Sequence, residues 1–152
     1  TTFSVEISFK KLTFSKDIHI KSTSVKSEIN LKNKRILVAD DDMLNQTIVK
    51  HFLNKENANV TLVKDGLEAL LEIETSSFDV ILLDINMPNM TGEELIQKMD
   101  SFQNKNANTP VLALTANTTQ EDIKRYLNLG FTNVISKPFT SEEFLEKINS
   151  VI

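Results

Sequence analysis

Two aspartates, Asp40 and Asp41, close the apolar run Ile36-Leu37-Val38-Ala39, and a third, Asp84, closes the run Val80-Ile81-Leu82-Leu83. If both runs are parallel strands of one sheet, their carboxyl ends open on the same edge, where an open α/β sheet binds its ligand. Three carboxylates brought that close repel one another unless a cation or protons neutralise them. A hard divalent cation such as Mg2+ is the matching partner, because it takes oxygen ligands and keeps waters. Two further groups fall on the same edge. Thr115 follows Val111-Leu112-Ala113-Leu114, and Lys137 follows a fifth apolar run, immediately before Pro138.

Phosphoryl transfer needs this set of parts: a nucleophile, a metal on the equatorial oxygens, and further donors for the spreading negative charge. Asp84 would be the nucleophile, since a carboxylate forms an acyl phosphate without prior deprotonation. Asp40 and Asp41 would hold Mg2+ directly or through water. Lys137 would supply a point charge and Thr115 a hydrogen-bond donor to the phosphoryl oxygens. No side chain stands out as a separate general base, and transfer to an ionised carboxylate needs none.

These residues meet only if the chain alternates strands with helices. From Lys34 onward it does so, which is the βαβ signature of a parallel sheet wrapped by helices. Strands are predicted at 35–39, 59–63, 79–83, 110–114 and 132–136. Leu44, Ile48, Val49, Phe52 and Leu53 mark a first helix by their 3.6-residue period, and Leu67, Leu70, Leu71 and Ile73 a second. Leu95, Ile96 and Met99 mark a third, Ile123, Tyr126 and Leu127 a fourth, and Phe144, Leu145, Ile148 and Val151 a fifth. Thr140 ahead of Ser141-Glu142-Glu143 reads as a helix cap and Gly130 as a helix stop. The fold class is therefore α/β, one doubly wound five-stranded parallel sheet of order 2-1-3-4-5, flavodoxin-like. The polar stretch Ser101 to Thr109 reads as a surface loop.

Residues 1–33 have a different character. Phe3, Val5, Ile7 and Phe9 alternate with polar residues, the period of a half-buried strand, and Lys10 to Asn33 is rich in Lys, Ser and Thr, as a linker is. A start at Thr1 rather than Met is expected of a piece of a longer chain. The division is thus 1–33, strand plus linker, and 34–152, the sheet domain.

Composition narrows the function classes. The 152 residues carry a net charge of -4 with 25% charged side chains, and no basic stripe of the kind that tracks a phosphate backbone, so nucleic acid is not a direct partner. The absence of cysteine removes disulfides, thiolate catalysis and Cys-based zinc sites. No apolar stretch reaches the roughly 20 residues that span a bilayer, so no membrane contact is expected of this domain. Gly66, Gly92 and Gly130 are scattered, which leaves no glycine loop to cradle a nucleotide.

Four stretches in register resemble the response-regulator receiver domain of two-component signalling. They are Ile36-Leu37-Val38-Ala39-Asp40-Asp41-Asp42, Leu83-Asp84-Ile85-Asn86-Met87-Pro88-Asn89-Met90-Thr91-Gly92, Leu114-Thr115-Ala116 and Ser136-Lys137-Pro138-Phe139. The resemblance covers residues 34–152. It implies Asp84 as phosphoacceptor, Mg2+ held by Asp40, Asp41, Asp84 and the backbone carbonyl of Asn86, Thr115 as switch hydroxyl and Lys137 as phosphate-binding lysine. It also implies a cis Lys137–Pro138 bond, a histidine kinase or histidine phosphotransfer domain as partner, and a cytoplasmic setting. Thr1-Thr2-Phe3-Ser4-Val5-Glu6-Ile7 is similar to the final strand of a histidine-kinase ATP-binding domain. The parent expected from that likeness is a hybrid sensor kinase, with a membrane anchor as one arrangement.

One position departs from the family pattern. Val134 stands three before Lys137, where receivers often carry an aromatic that rotates inward with the threonine, so a smaller rearrangement of the 115–139 face is expected. Asn86 and Asn117 fall where family side chains screen the acyl phosphate from water, and changing either should alter its decay. Asp42 reads as a helix cap, His19 and His51 as surface residues, and Met87, Met90 and Met99 as packing. Two other readings compete: a receiver-like interaction module that is not phosphorylated, and a metal-dependent aspartyl phosphohydrolase. The latter commonly needs a second aspartate two residues after the nucleophile, where this chain has Asn86.

Overall fold

A computed structural model describes residues 28–152. The alternating stretch Phe3 to Phe9, His19 and most of the linker lie outside the described residues. Ten elements alternate: β1 (Arg35–Ala39), α1 (Met43–Lys55), β2 (Asn59–Val63), α2 (Gly66–Thr75), β3 (Val80–Asp84), α3 (Gly92–Asp100), β4 (Val111–Thr115), α4 (Gln120–Leu129), β5 (Asn133–Ser136) and α5 (Ser141–Asn149). All strand pairs are parallel and the order is β2-β1-β3-β4-β5, as the sequence predicts. Asp84 and Thr115, expected just past their strands, are instead the last residues of β3 and β4.

Alternate side chains of the strands divide the core in two. Leu37, Ala39, Ile81, Leu83, Val111 and Ala113 join Ala69 and Ile73 of α2, Leu95, Ile96 and Met99 of α3, and Tyr126 of α4. Ile36, Val38, Val80, Leu82, Leu112 and Leu114 join Val49 and Leu53 of α1 and Phe144, Leu145 and Ile148 of α5. Burial on both faces is why β3 and β4 read as unbroken apolar runs. Oxygen-bearing side chains start the helices. Asp42, Asp65, Thr91, Thr119 and Thr140 each accept a first-turn amide, and Thr91–Glu94 and Thr140–Glu143 form reciprocal capping boxes. Each cap stabilises its helix by about 1 kcal/mol. Gly130 ends α4 at φ 114°, a left-handed conformation in which a Cβ is strained.

Three sequence readings change. The stretch Ser101 to Thr109 is not surface throughout: Asn106 is buried, donates to the carbonyls of Ile73 (2.9 Å) and Ser76 (2.8 Å), and accepts from the Phe78 amide at 2.8 Å. It fastens the end of α2 to the start of β3. Among the apolar helix markers, Leu44, Ile48, Leu67, Leu71 and Leu127 are exposed. A helix laid on a sheet buries only one stripe, and these residues stand off it. Leu31, within the linker reading, is fully buried with the α1–α5 side of the core, so the packed body begins ahead of Lys34.

Candidate functional site

Register builds the site. Ala39 pairs with Leu83, so Asp40 and Asp84 leave neighbouring strands side by side. Asp84 pairs with Leu114, which puts Thr115 one step beyond it, and Thr115 pairs with Ser136, the residue before Lys137. The sequence-predicted set therefore converges. Oxygens of Asp40, Asp41 and Asp84 lie within 4.8 Å of one another. The Lys137 ammonium donates to Asp40 Oδ2 at 3.1 Å and to Asp84 Oδ2 at 3.0 Å. The Asn86 amide donates to Asp84 Oδ1 at 3.1 Å. Asp40, Asp84 and Thr115 are buried, while Asp41, Asn86 and Asn117 are exposed. The Lys137–Pro138 bond is cis, as the resemblance implies.

The electrostatics follow from burial. Desolvation raises the Asp84 carboxyl above its ordinary value, the Lys137 hydrogen bond and charge pull it back, and the nearby Asp40 charge adds to the rise. Desolvation pushes the Lys137 ammonium down, but its hydrogen bonds to Asp84 and Asp40 outweigh this and leave it raised. Lysine thus stays charged between two carboxylates. The donor set fits a divalent cation: the carboxylate of Asp41 is solvent-facing, and two buried carboxylates share one ammonium as their only strong positive neighbour among the described residues.

Other groups hold these residues in place. Gln46 Nε2 of α1 donates to the carbonyls of Asp40 (2.7 Å) and Val63 (2.8 Å), bracing the turn after β1. Asp42 caps α1, as predicted, through its bond from the Leu44 amide at 2.8 Å. Asp65 caps α2 through the Glu68 amide at 2.8 Å and accepts from Asn89 at 2.9 Å, tying α2 to the loop that carries Asn86. Asn89 sits at φ 67°, a left-handed conformation that asparagine tolerates. Tyr126, marked in the sequence only as an apolar helix residue, is buried with its hydroxyl 3.4 Å from Thr115 Oγ1. The Asp65 cap was readable from Asp65-Gly66-Leu67-Glu68, an acid with glutamate three residues later. Gln46 and Tyr126 carry no comparable signal. Met87, Met90 and Met99 are packing residues and His51 is exposed, as expected.

A 2-1-3-4-5 sheet that gathers acids, a threonine and a lysine on its carboxyl edge defines an acid-pocket domain of the flavodoxin-like class. Residues 36–149 match the response regulator receiver domain family, and the chain belongs to that family, the phosphoacceptors of two-component signalling. It is 37% identical over 124 residues to transcription factor SKN7 of Candida albicans, covering 82% of this chain and 21% of that protein. Against sensor protein EvgS of Escherichia coli it is 31% identical over 141 residues, 92% of this chain and 11% of that one. The chain thus spans about a fifth or less of the length of these two relatives. Among solved structures, the receiver domain of the Pseudomonas aeruginosa sensor histidine kinase PA1611 superposes with a TM-score of 0.72 at 30% identity, covering 78% of this chain and 97% of that one. That domain has a magnesium ion coordinated in its active-site cleft. Among the described residues no helix is long and apolar enough to cross a membrane.

Proposed function

We propose that Asp84 accepts a phosphoryl group from a phosphohistidine on a histidine kinase or histidine phosphotransfer domain. The observation that carries this is the Lys137 ammonium shared at 3.0 and 3.1 Å between Asp84 and Asp40, beside Asp41. Asp40, Asp41, Asp84 and the Asn86 carbonyl are the residues that would hold Mg2+, whose charge would offset that of the phosphoryl oxygens. An Asp84 carboxylate oxygen attacks phosphorus as the phosphorus–nitrogen bond breaks, and the imidazole nitrogen leaves with the bonding pair. Lys137 keeps Asp84 ionised despite its burial and then donates to the transferred group. Thr115 donates its hydroxyl to a phosphoryl oxygen. Exposed Asn86 and Asn117 stand at the mouth of the pocket, where they control water access and so the decay of the acyl phosphate.

Met43, Leu44 and Ile48 of α1 are exposed apolar residues, and Ile48 lines a hollow with Lys137, Pro138 and Phe139. A helix bearing the phosphohistidine would dock there, which accounts for the exposure of Leu44 and Ile48. The parent is proposed to be a hybrid sensor histidine kinase, with residues 1–33 as the last strand of its ATP-binding domain plus linker, and with this domain in the cytoplasm. The EvgS similarity supports this, since 141 aligned residues exceed the span 36–149.

Acetyl phosphate with Mg2+ tests the assignment. The chain should gain one hydroxylamine-sensitive phosphoryl group, and Asp84→Asn should lose it. An unlabelled wild-type chain would leave an unphosphorylated interaction module, persistent labelling of Asp84→Asn would reject the residue, and steady turnover of small phosphate esters would restore the hydrolase reading.

A further inference from the structure

Tyr126 is the chain's single tyrosine and is wholly buried, yet its hydroxyl is not idle. It lies 3.4 Å from Thr115 Oγ1 and accepts from the Arg125 guanidinium at 3.4 Å. Arg125 reaches Glu93 on α3 at 3.2 Å and Asp122 at 3.4 Å, and its guanidinium carbon lies 5.1 Å from the centre of the Tyr126 ring. A chain of polar contacts therefore runs from the site threonine through a buried phenol to the surface joining α3 and α4. Phe131 meets the ring edge-on at 6.1 Å and fixes its plane. Val134, at the position where receivers often carry an aromatic, is a buried aliphatic with no hydroxyl to offer.

The hydrogen count makes this contact conditional. Thr115 Oγ1 accepts from the Asn117 amide at 3.0 Å, and the threonine has one proton to donate. If that proton is directed to Tyr126, it is not available to a phosphoryl oxygen. Turning it toward the phosphoryl group takes that donor from the phenol, which then keeps only the 3.4 Å bond from Arg125 unless it moves or becomes the donor to Thr115 itself.

We propose that Tyr126 is a positioning residue: its hydroxyl holds the Thr115 hydroxyl in the unphosphorylated domain, and phosphorylation, by drawing that hydroxyl away, is reported through Tyr126 and Arg125 to the α3–α4 surface. Helix α4 thus supplies the aromatic partner that β5 lacks. This inference rests on Asp84 being the phosphoacceptor.

With one tyrosine, NMR of the chain shows one set of ring ε-CH signals, and they belong to Tyr126. Phosphorylation by acetyl phosphate and Mg2+, followed in parallel by mass, should shift them together with the Arg125 and Glu93 amides. Tyr126→Phe keeps the ring and removes only the hydroxyl. It should still take up phosphate, but the phosphorylation-dependent shifts of Arg125 and Glu93 should be lost, which a purely structural role would not predict. Labelled wild-type protein with a stationary tyrosine signal overturns this proposal alone, as do undiminished shifts in Tyr126→Phe. Failure of the mass to increase overturns the phosphoacceptor reading and this inference with it.

Discussion

Gly92 opens α3 directly behind Asp84, and replacing it with alanine tests whether backbone packing sets the position of that carboxylate. The Gly92 amide donates to the Ile85 carbonyl at 3.1 Å. A Cβ built on Gly92 stands 2.6 Å from the Asp84 carbonyl oxygen and 3.2 Å from Ile85 Cα, where real Cβ contacts essentially never fall below 3.0 Å. The shortfall between 2.6 and 3.0 Å means that α3 and the end of β3 must part by at least about 0.4 Å. Both obstructing atoms are backbone, and β3 is paired on either side, so no rotamer change relieves the contact. Overpacking of this kind costs about 1–3 kcal/mol. Alanine's better helix propensity recovers up to about 1 kcal/mol. A net destabilisation of up to about 2 kcal/mol remains, a fall in Tm of up to roughly 8 °C for a domain of this size.

The effect on phosphorylation should exceed what stability alone would cause. A 1 Å misplacement of a reacting group costs up to about 100-fold, so about 0.4 Å predicts roughly fivefold slower labelling of Asp84 by acetyl phosphate at saturating Mg2+. Urea unfolding and the labelling time course, both below the temperature of unfolding, measure the two effects separately. Gly130→Ala is the contrast. At φ 114° its cost is conformational, and the nearest atom to an added Cβ is Ile96 Cδ1 at 3.6 Å, so stability should fall while the labelling rate holds. Wild-type stability and wild-type labelling in Gly92→Ala would refute the claim that this contact positions Asp84.

Asn106→Ala removes the bonds to the Ile73 and Ser76 carbonyls and from the Phe78 amide, leaving buried backbone groups unpaired. Urea unfolding should show a loss of about 2–3 kcal/mol with Asp84 labelling unchanged, and a neutral variant would mean that water replaces the amide. Asp65 predicts a pH dependence. The Glu68 amide, ahead of the bonds from Asn89 and Leu67, holds its carboxyl below the ordinary 3.8, so the contribution of the charge is fully present above that value and is lost as pH falls through the lowered native value. The stability difference between wild type and Asp65→Asn should therefore be constant near neutrality and shrink at acid pH; a difference that grows on acidification contradicts the sign.

The β3 and β4 runs are legible because sides buried on both faces leave no polar alternation to confuse with another element. The site was legible for a related reason. Asp40, Asp84, Thr115 and Lys137 each follow an apolar run, and a parallel sheet delivers all such positions to one edge. Helix faces were less readable. Leu44 and Ile48 keep helical spacing with Val49, but spacing alone does not separate the stripe facing the sheet from apolar residues that face outward beside the pocket.

What escaped the sequence has a common physical cause. Gln46 bonds the carbonyls of Asp40 and Val63, and Asn106 bonds the carbonyls of Ile73 and Ser76 and the amide of Phe78. A side-chain amide satisfied by backbone asks for no particular residue at the other end, so no complementary letter appears anywhere in the chain. Tyr126 is the same case seen from the core: its ring satisfies the apolar pattern of α4, and only coordinates show the hydroxyl against Thr115. Charges that must be neutralised declare themselves in pairs, whereas neutral donors that organise backbone stay silent until the fold places them. The charged and hydroxyl groups gathered at this edge are therefore readable from composition and spacing, and the neutral donors packed behind them are not.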